Sequence, residues 1–294
     1  MRGHPFICLA LVYVFLRSTY YRSFALHRHL RMKRACPASG SVEAKRSCSM
    51  EAAFPKAVEC NGMRTLLLAG GCDGIGLAFL ERILDSRRYR HIYVLGRNFQ
   101  KVRTLMSTES ALLERRVVIT EIQCDITQDE ALQVAIRGLP TINDFVNTIG
   151  TFTKGSVASL TSAVVEKHFK LNTIANIDLT RAVLPKLEVG NSQLLVCSAS
   201  LACQARSPYA LQSATKAGYK FFIDALRVEM KGKVRVMVIL PPSVRTEIFK
   251  KAGDDRDTTV YPPPARVAAA MDFMLSLPTD ITLPEMLLEQ FKYE

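Results

Sequence analysis

A glycine-rich turn between an apolar run and a helix-like segment is the feature that most constrains this chain. The turn reads Ala69-Gly-Gly-Cys-Asp-Gly-Ile-Gly76; it follows the apolar run Thr65-Leu-Leu-Leu68 and precedes residues 77–84, whose apolar side chains recur at helical spacing. Glycine lets the backbone turn sharply and approach a ligand closely, and a helix N terminus points free N–H groups at an anion. A strand, a glycine turn and a helix in this order therefore predict a pyrophosphate site.

From Met63 onward, strand-like and helix-like segments alternate. The predicted strands are mostly apolar runs without polar alternation, as expected for strands covered on both faces. They span residues 65–69, 91–95, 117–122, 144–147, 193–198 and 234–240. The helical segments between them span residues 77–86, 98–107, 128–137, 161–188 and 208–231. This alternation predicts an α/β domain over residues 63–294, built on one doubly wound parallel sheet with helices on both faces.

Residues 1–62 differ from the rest of the chain, since they carry +7 of the net charge of +12. Residues 6–16 are apolar throughout, which suits a signal-peptide core and is short for a membrane span. Residues 17–46 are basic with Glu43 as the one acid, a composition typical of an organelle transit peptide. We expect residues 1–62 to be a targeting leader and linker, disordered or cleaved, that directs the chain to a plastid or mitochondrion. An uncleaved signal anchor in the endoplasmic reticulum membrane, with membrane contact through residues 6–16, is the alternative.

The distribution of basic residues and cysteines excludes other classes of protein. Because the positive charge is concentrated in the leader and no basic stripe interleaves with aromatic residues, nucleic-acid binding is not expected. The eight cysteines form no CxxC pair, and no His lies at the spacing that a zinc finger requires. We therefore expect no metal site and reduced thiols, with Cys124 and Cys197 as small core residues.

Seven segments in matching order show that residues 63–290 resemble the short-chain dehydrogenase/reductase family. They are the glycine turn, an acid after the third strand, Asn147-Thr-Ile-Gly150, an Asn in the long helix, a Ser after the fifth strand, Ala214-Thr-Lys-Ala217 and Pro241-Pro-Ser-Val-Arg-Thr246. Two departures are Ala69 for the usual Thr and Pro242 for the usual Gly. The resemblance implies a Rossmann-type fold and an oxidoreductase that moves a hydride between a nicotinamide dinucleotide and a small carbonyl or alcohol substrate. It also leaves a homo-oligomer open.

The resemblance assigns the cofactor to the glycine turn, to later strand ends and to one lysine. These residues are Gly70, Cys72, Asp73, Gly74, Ile75, Gly76, Arg97, Asp125, Ile126, Asn147, Gly150, Lys216, Pro241, Val244 and Thr246. Arg97, after the second strand, favours a 2′-phosphate and hence NADP(H). Asp73 argues the other way, because members of the family that bind NADP(H) often have a basic residue there. We expect NADP(H) to be preferred, with NAD(H) as the alternative.

The same resemblance assigns catalytic positions and exposes one substitution. The positions are Asn172, Ser198, Ser200, Tyr209, Gln212 and Lys216. The family places a Tyr four residues before the Lys, where this chain has Gln212. A phenol beside a Lys ammonium exchanges protons near neutral pH, whereas an amide can only form hydrogen bonds. The family usually has twelve or thirteen residues between the Ser and the Tyr position, which is Gln212 here. This spacing favours Ser200 as the catalytic serine, and Ser198 stays open.

Tyr209 is an alternative proton donor, because it lies seven residues before Lys216 on the same helical face. Ser207 and Pro208 predict a helix start with Tyr209 in its first turn. The rise to Lys216 is then about 10 Å, against about 6 Å for a pair four residues apart. This distance favours the interpretation of Tyr209 as an ordinary tyrosine at a helix start, without a catalytic role.

The charged residues 243–260 correspond to the family's mobile substrate loop.

Three functions therefore stay open. The first is an NADP-preferring oxidoreductase with a degenerate proton donor. The second is a non-catalytic dinucleotide-binding sensor or assembly protein on the same fold, which the amide of Gln212 favours. The third, a membrane-anchored enzyme acting on retinoids or steroids, requires residues 6–16 to remain uncleaved.

Overall fold

A seven-stranded parallel sheet organises the protein, whose computed structural model describes residues 64–86, 88–108 and 117–291. The predicted leader over residues 1–62 lies outside the described residues. The strands are β1 (Arg64–Ala69), β2 (Tyr89–Gly96), β3 (Val118–Gln123), β4 (Asp144–Asn147), β5 (Ser192–Cys197), β6 (Val234–Leu240) and β7 (Glu285–Leu287). They lie in the order β3-β2-β1-β4-β5-β6-β7 and every neighbouring pair is parallel. The predicted doubly wound sheet is confirmed.

Helices connect the strands in the described part of the chain. They are α1 (Gly74–Leu84), α2 (Gln100–Thr108), α3 (Asp129–Arg137), α4 (Ser162–Phe169), α5 (Asn176–Val183), α6 (Ala210–Glu229), α7 (Ile248–Lys251) and α8 (Pro264–Ser276). A π-helical stretch, Lys170–Ala175, joins α4 to α5, so the single helix predicted over residues 161–188 is interrupted. None of the helices in the described ranges has the length and hydropathy that a membrane span requires.

Two apolar layers cover the sheet, one on each face. Successive side chains of a strand point to opposite faces, so Leu66 and Leu68 pack in one layer and Leu67 in the other. Helices α1 and α8 cover the first layer, and α3, α5 and α6 cover the second. Cys124 and Cys197 are buried in these layers as small core residues, as predicted.

The start of α6 differs from the prediction made from Ser207 and Pro208. The helix begins at Ala210, and Tyr209 precedes it with a non-helical backbone (φ −113°, ψ 28°). The prediction that Tyr209 lies in the first helical turn is therefore wrong. Tyr209 is instead held by the segment after β6, because its hydroxyl oxygen accepts a hydrogen bond from Arg256 Nη2 over 3.2 Å.

Candidate active site

A cleft of about 800 Å³ opens at the carboxyl ends of the strands, beside the point where the sheet order reverses between β1 and β4. Ligands of doubly wound sheets bind at such a switch point. Eleven of the predicted cofactor residues line the cleft: Gly70, Cys72, Asp73, Gly74, Ile75, Gly76, Arg97, Asp125, Ile126, Gly150 and Thr246. Four others, Asn147, Lys216, Pro241 and Val244, are buried and do not line the cleft.

The glycine turn forms a cradle of bare backbone, which larger residues in place of its glycines would fill with their side chains. Gly70 has a φ of +84°, a conformation that favours glycine. A Cβ placed on Gly76 would collide with the carbonyl oxygen of Gly70 and would lie 2.5 Å from Thr148 Oγ1. Thr148 itself donates to the carbonyl oxygen of Ala69 over 3.0 Å, so it cannot simply turn away. The turn thus keeps bare backbone beside the N terminus of α1, which fits a pyrophosphate group.

Asp73 caps α1 and is flanked by two lysines. Its Oδ1 atom accepts hydrogen bonds from the Gly74 N–H over 2.9 Å and from Lys101 Nζ over 2.7 Å. Its Oδ2 atom accepts a hydrogen bond from Lys251 Nζ. Burial raises the pKa of Asp73, but the hydrogen bonds from Lys101 and Lys251 outweigh it and lower the pKa below its usual value. The acid of the turn is therefore ionised and paired with two cations that also line the cleft.

Arg97 and Asp125 lie at the mouth of the cleft. Asp125 Oδ1 accepts hydrogen bonds from the N–H and the hydroxyl of Thr127, at 3.0 and 2.8 Å, and these bonds lower the pKa of its carboxyl. Arg97 Nη1 is 3.8 Å from Asp125 Oδ2, and 74% of the Arg97 side chain is exposed. The guanidinium can therefore reach an anion at this end of the cleft.

Asn172 fixes the backbone on the other side of the cleft. Its Oδ1 atom accepts from the N–H of Thr151 over 2.8 Å, and its Nδ2 atom donates to the carbonyl oxygen of Thr151 over 3.1 Å. The Nδ2 atom also lies 3.2 Å from the hydroxyl of Thr215 in α6. The side chain is fully buried. The amide thus ties the π-helical stretch, the loop after β4 and α6 together.

A polar network holds the π-helical stretch that carries Asn172. Asn176 Nδ2 donates to the carbonyl oxygen of Leu171 over 2.7 Å, which satisfies a carbonyl in the wide turn. Asn176 Oδ1 accepts from Asn147 Nδ2 over 2.7 Å, and Asn147 also donates to the hydroxyl of Tyr219 over 3.1 Å. The structure therefore places Asn147 in a buried network that links β4 to α5 and α6.

Lys216 lies against Gly150, which lines the cleft. A Cβ placed on Gly150 would lie 2.5 Å from Lys216 Nζ, so the ammonium lies directly against this glycine. Burial lowers the pKa of Lys216. Gln212, one helical turn earlier, donates from Nε2 to the carbonyl oxygen of Thr151 over 3.1 Å. Its Oε1 atom is buried and has no hydrogen-bond partner within the described residues.

The two candidate serines occupy different surroundings. Ser198 is buried directly after β5, and its hydroxyl has no partner among the residues that the structure describes. Ser200 is half-buried and begins a 3₁₀ turn, Ser200–Ala202, with its N–H donating to the carbonyl oxygen of Pro241 over 2.9 Å. The choice between the two hydroxyls as the catalytic serine stays a prediction.

A cation–aromatic cluster that sequence reasoning missed surrounds Arg256. The guanidinium carbon lies 4.6 Å from the ring centre of Phe249, 5.1 Å from that of Phe152 and 5.7 Å from that of Tyr209. Arg256 also pairs with the buried Asp254. Hydrogen bonding from Arg256 is the main cause that lowers the pKa of Asp254 to about 2. The charged stretch around Arg256 contains Phe249 but does not signal the cluster, because Phe152 and Tyr209 come from distant segments.

Lys101 and Lys251 were also missed as members of the cleft. Lys101 lies on α2 and Lys251 ends α7, a short helix that the sequence does not predict. Lys251 falls within the charged residues 243–260, and nothing in that stretch places it at the cleft. Both side chains reach the cleft because Asp73 binds them.

The sheet order, the glycine cradle and the group formed by Asn172, Gln212 and Lys216 define a dinucleotide-binding protein of the Rossmann class. The chain matches the family model of the short chain dehydrogenases over residues 64–257, and it belongs to this family. It is therefore an NAD(P)-dependent oxidoreductase of the short-chain dehydrogenase/reductase type.

Three known proteins illustrate the relationship. Ketoacyl reductase HetN of Nostoc sp. is 26% identical over 202 residues, which cover 68% of each chain. An alcohol dehydrogenase from Thermococcus sibiricus, complexed with 5-hydroxy-NADP, has a TM-score of 0.69 and 16% identity over 79% of this chain and 100% of that chain. A short-chain dehydrogenase from Sphingobium yanoikuyae, in complex with NADPH, has a TM-score of 0.63 and 23% identity over 76% of this chain and 87% of that chain. The likeness to the two solved structures is one of fold.

Proposed function

We propose that this protein binds NADP(H) in the cleft and interconverts a small carbonyl compound and its alcohol, with a degenerate proton donor at Gln212. The observation that carries the proposal is the continuity of the cleft, which runs from Arg97 past the glycine cradle to Gly150. The ammonium of Lys216 lies against Gly150. The groups proposed to bind the cofactor therefore have places along one cleft, and Lys216 lies next to one end of it.

The preference for NADP(H) is supported by charge at the mouth of the cleft. Arg97 is exposed there, and a guanidinium binds a phosphate with two parallel hydrogen bonds. Asp73, which by itself would repel a phosphate, is paired with Lys101 and Lys251. Solved structures that share the fold hold NADPH or an NADP derivative.

When bound, the nicotinamide dinucleotide supplies or accepts the hydride, and the residues of this chain orient the reactants. The resemblance assigns Lys216 to the ribose hydroxyls, and its place against Gly150 supports that role. Asn172 binds both the N–H and the carbonyl oxygen of Thr151 and so fixes the backbone beside the reacting groups. The resemblance also assigns a catalytic role to the strand-end serine, which is Ser200 or Ser198.

Gln212 limits the proton-transfer part of this reaction. Its Nε2 atom is engaged by the carbonyl oxygen of Thr151, and an amide does not release a proton near pH 7. A positioned acid or base typically contributes about 10²- to 10⁴-fold to the rate, so we expect slow turnover. Tyr209 is the alternative donor within the chain, although its hydroxyl is bound to Arg256.

A second candidate function is binding of the dinucleotide without catalysis, as a sensor or assembly protein. The substitution at Gln212 favours it, because the cradle and Lys216 serve binding even where proton transfer is lost. The discriminating experiment combines calorimetric titration of the full-length protein with NADPH and NADH and an assay of NADPH oxidation against a panel of aldehydes and ketones. Binding with turnover supports the enzyme, and binding without turnover supports the sensor. Failure to bind either dinucleotide refutes both.

A further inference from the structure

Asp73 of the glycine turn joins two lysines from different parts of the chain. Its Oδ1 atom accepts a hydrogen bond from Lys101 Nζ on α2, and its Oδ2 atom accepts one from Lys251 Nζ at the end of α7. Lys251 is 178 residues from Asp73 in sequence. This ion pair therefore ties the segment after β6 to the cradle at the N terminus of α1.

The segment that ends in Lys251 lies against the cradle independently of this ion pair. Thr246, Glu247, Ile248 and Lys251 all line the cleft. A Cβ placed on Gly74 would come within 3.3 Å of Thr246 Cγ2, so the start of the segment already touches the turn. We therefore expect the segment to stay beside the cradle when the Lys251 ammonium leaves Asp73.

The ion pair between Asp73 and Lys251 is one that a phosphate can displace. The Lys251 side chain is 65% exposed and that of Asp73 is 30% exposed. Water screens such exposed pairs, and they contribute little to stability. A phosphate group offers more acceptor oxygens than a carboxylate and binds ammonium groups strongly. An incoming phosphate thus competes with Asp73 for the same ammonium.

We propose that Lys251 binds a phosphate of the dinucleotide and that Asp73 occupies its ammonium group in the free protein. In the free protein its ammonium bonds the Asp73 carboxylate, and on binding it moves to a phosphate of the dinucleotide. Asp73 then opposes binding, because its carboxylate occupies the Lys251 and Lys101 ammonium groups and repels the phosphates. The inference rests on the proposed function, since it takes the cleft as a dinucleotide site.

Two variants that break the same ion pair test the proposal by the sign of their effects. Asp73→Asn keeps an amide oxygen for the Gly74 cap and removes the charge. It frees both lysines, so we expect NADPH and NADH to bind about two- to fivefold more tightly. Lys251→Gln removes the cation, and we expect binding about two- to fivefold weaker. Calorimetric titration of the full-length variants measures both. Lys250→Gln is the matched control, because Lys250 is exposed and does not line the cleft.

Comparing the affinities for NADPH and NADH identifies which phosphate Lys251 binds. Equal loss of NADPH and NADH affinity in Lys251→Gln assigns the pyrophosphate, and a loss confined to NADPH assigns the 2′-phosphate. A change of the same sign in Asp73→Asn and Lys251→Gln shows a merely structural ion pair and overturns the proposal. Wild-type affinity in Lys251→Gln overturns it too, with the proposed function intact. If the wild-type protein binds neither dinucleotide, the proposed function fails and this inference fails with it.

Discussion

Gln212 Nε2 donates a hydrogen bond to the carbonyl oxygen of Thr151 over 3.1 Å, the same carbonyl that Asn172 Nδ2 binds over 3.1 Å. Because a carbonyl oxygen only accepts, this contact orients the amide and leaves Gln212 Oε1 as its free end. That oxygen is buried without a partner among the described residues. The position next to Lys216 thus holds a buried acceptor that has no partner in the described part of the chain, and it holds no acid.

Replacing Gln212 with Tyr should raise carbonyl reduction. The phenol would lie one helical turn from Lys216, and a neighbouring ammonium lowers the pKa of a phenol so that it can donate a proton. We expect NADPH oxidation with a reducible carbonyl compound to rise about 10- to 1,000-fold, measured as kcat/KM. Tyr209→Phe is the paired variant. If the wild-type protein is already fast, Gln212→Tyr brings no gain and Tyr209→Phe abolishes turnover, Tyr209 is the donor and the role given to Gln212 is wrong.

Arg97→Ala should weaken NADPH binding and leave NADH binding unchanged. A hydrogen bond to a charged group contributes about 1.5–3 kcal/mol, so we expect a loss of about tenfold or more for NADPH in calorimetric titration. Arg90→Ala is the matched control, since Arg90 is an exposed arginine of β2 that does not line the cleft. Equal losses of affinity for both cofactors would show that Arg97 does not bind the 2′-phosphate.

Gly76→Ala should destabilise the protein and abolish cofactor binding. Its Cβ would collide with the carbonyl oxygen of Gly70, and this backbone overpacking costs about 1–3 kcal/mol. Gly138→Ala is the contrasting variant, because nothing lies within 4 Å of its Cβ and its φ of −71° suits any residue. We expect it to raise the free energy of unfolding by about 0.4–1 kcal/mol. Urea denaturation measures both, and equal effects would contradict the cradle geometry.

Asp254→Asn should destabilise the protein near neutral pH and lose this effect in acid. The folded-state pKa of Asp254 is lowered to about 2, so its carboxylate stabilises the fold above the unfolded value of about 4, and this stabilisation is lost as the pH falls toward 2. The shift corresponds to about 2 kcal/mol at pH 7. Urea denaturation between pH 2 and 7 checks the convergence of variant and wild type. Asp255→Asn, the exposed neighbour, should behave as wild type; a constant difference across the range would contradict the ionic origin.

Residues 1–62 should direct a fluorescent protein to an organelle. We propose this from the apolar residues 6–16 followed by a basic stretch with a single acid. Microscopy of cells that express the fusion checks the expectation, and immunoblotting reports whether the leader is cleaved. A reticular, uncleaved signal would support the signal anchor instead. Diffuse cytosolic fluorescence would refute targeting.

Local pattern was enough to predict the elements that carry their own signal. The apolar residues 66–68 and the glycines that follow them predicted β1, the turn and α1, because strand and helix periodicities and positive φ angles act over a few residues. The elements after residue 245 escaped prediction. Strand β7 has three residues, of which two are exposed, and it forms by pairing with β6. Helix α8 packs against α1, far away in sequence, and neither contact has a local signature.

The sequence by itself determined strands β1 to β6, the glycine cradle and the types of side chain available for chemistry, since each follows from local geometry or from residue identity. Only the tertiary structure decided which of these side chains meet. The Thr151 carbonyl binds Gln212 from 61 residues away, and Asp73 binds Lys251 from 178 residues away. Such pairs depend on how strands and helices pack, because a hydrogen bond forms only when packing brings donor and acceptor within about 3 Å.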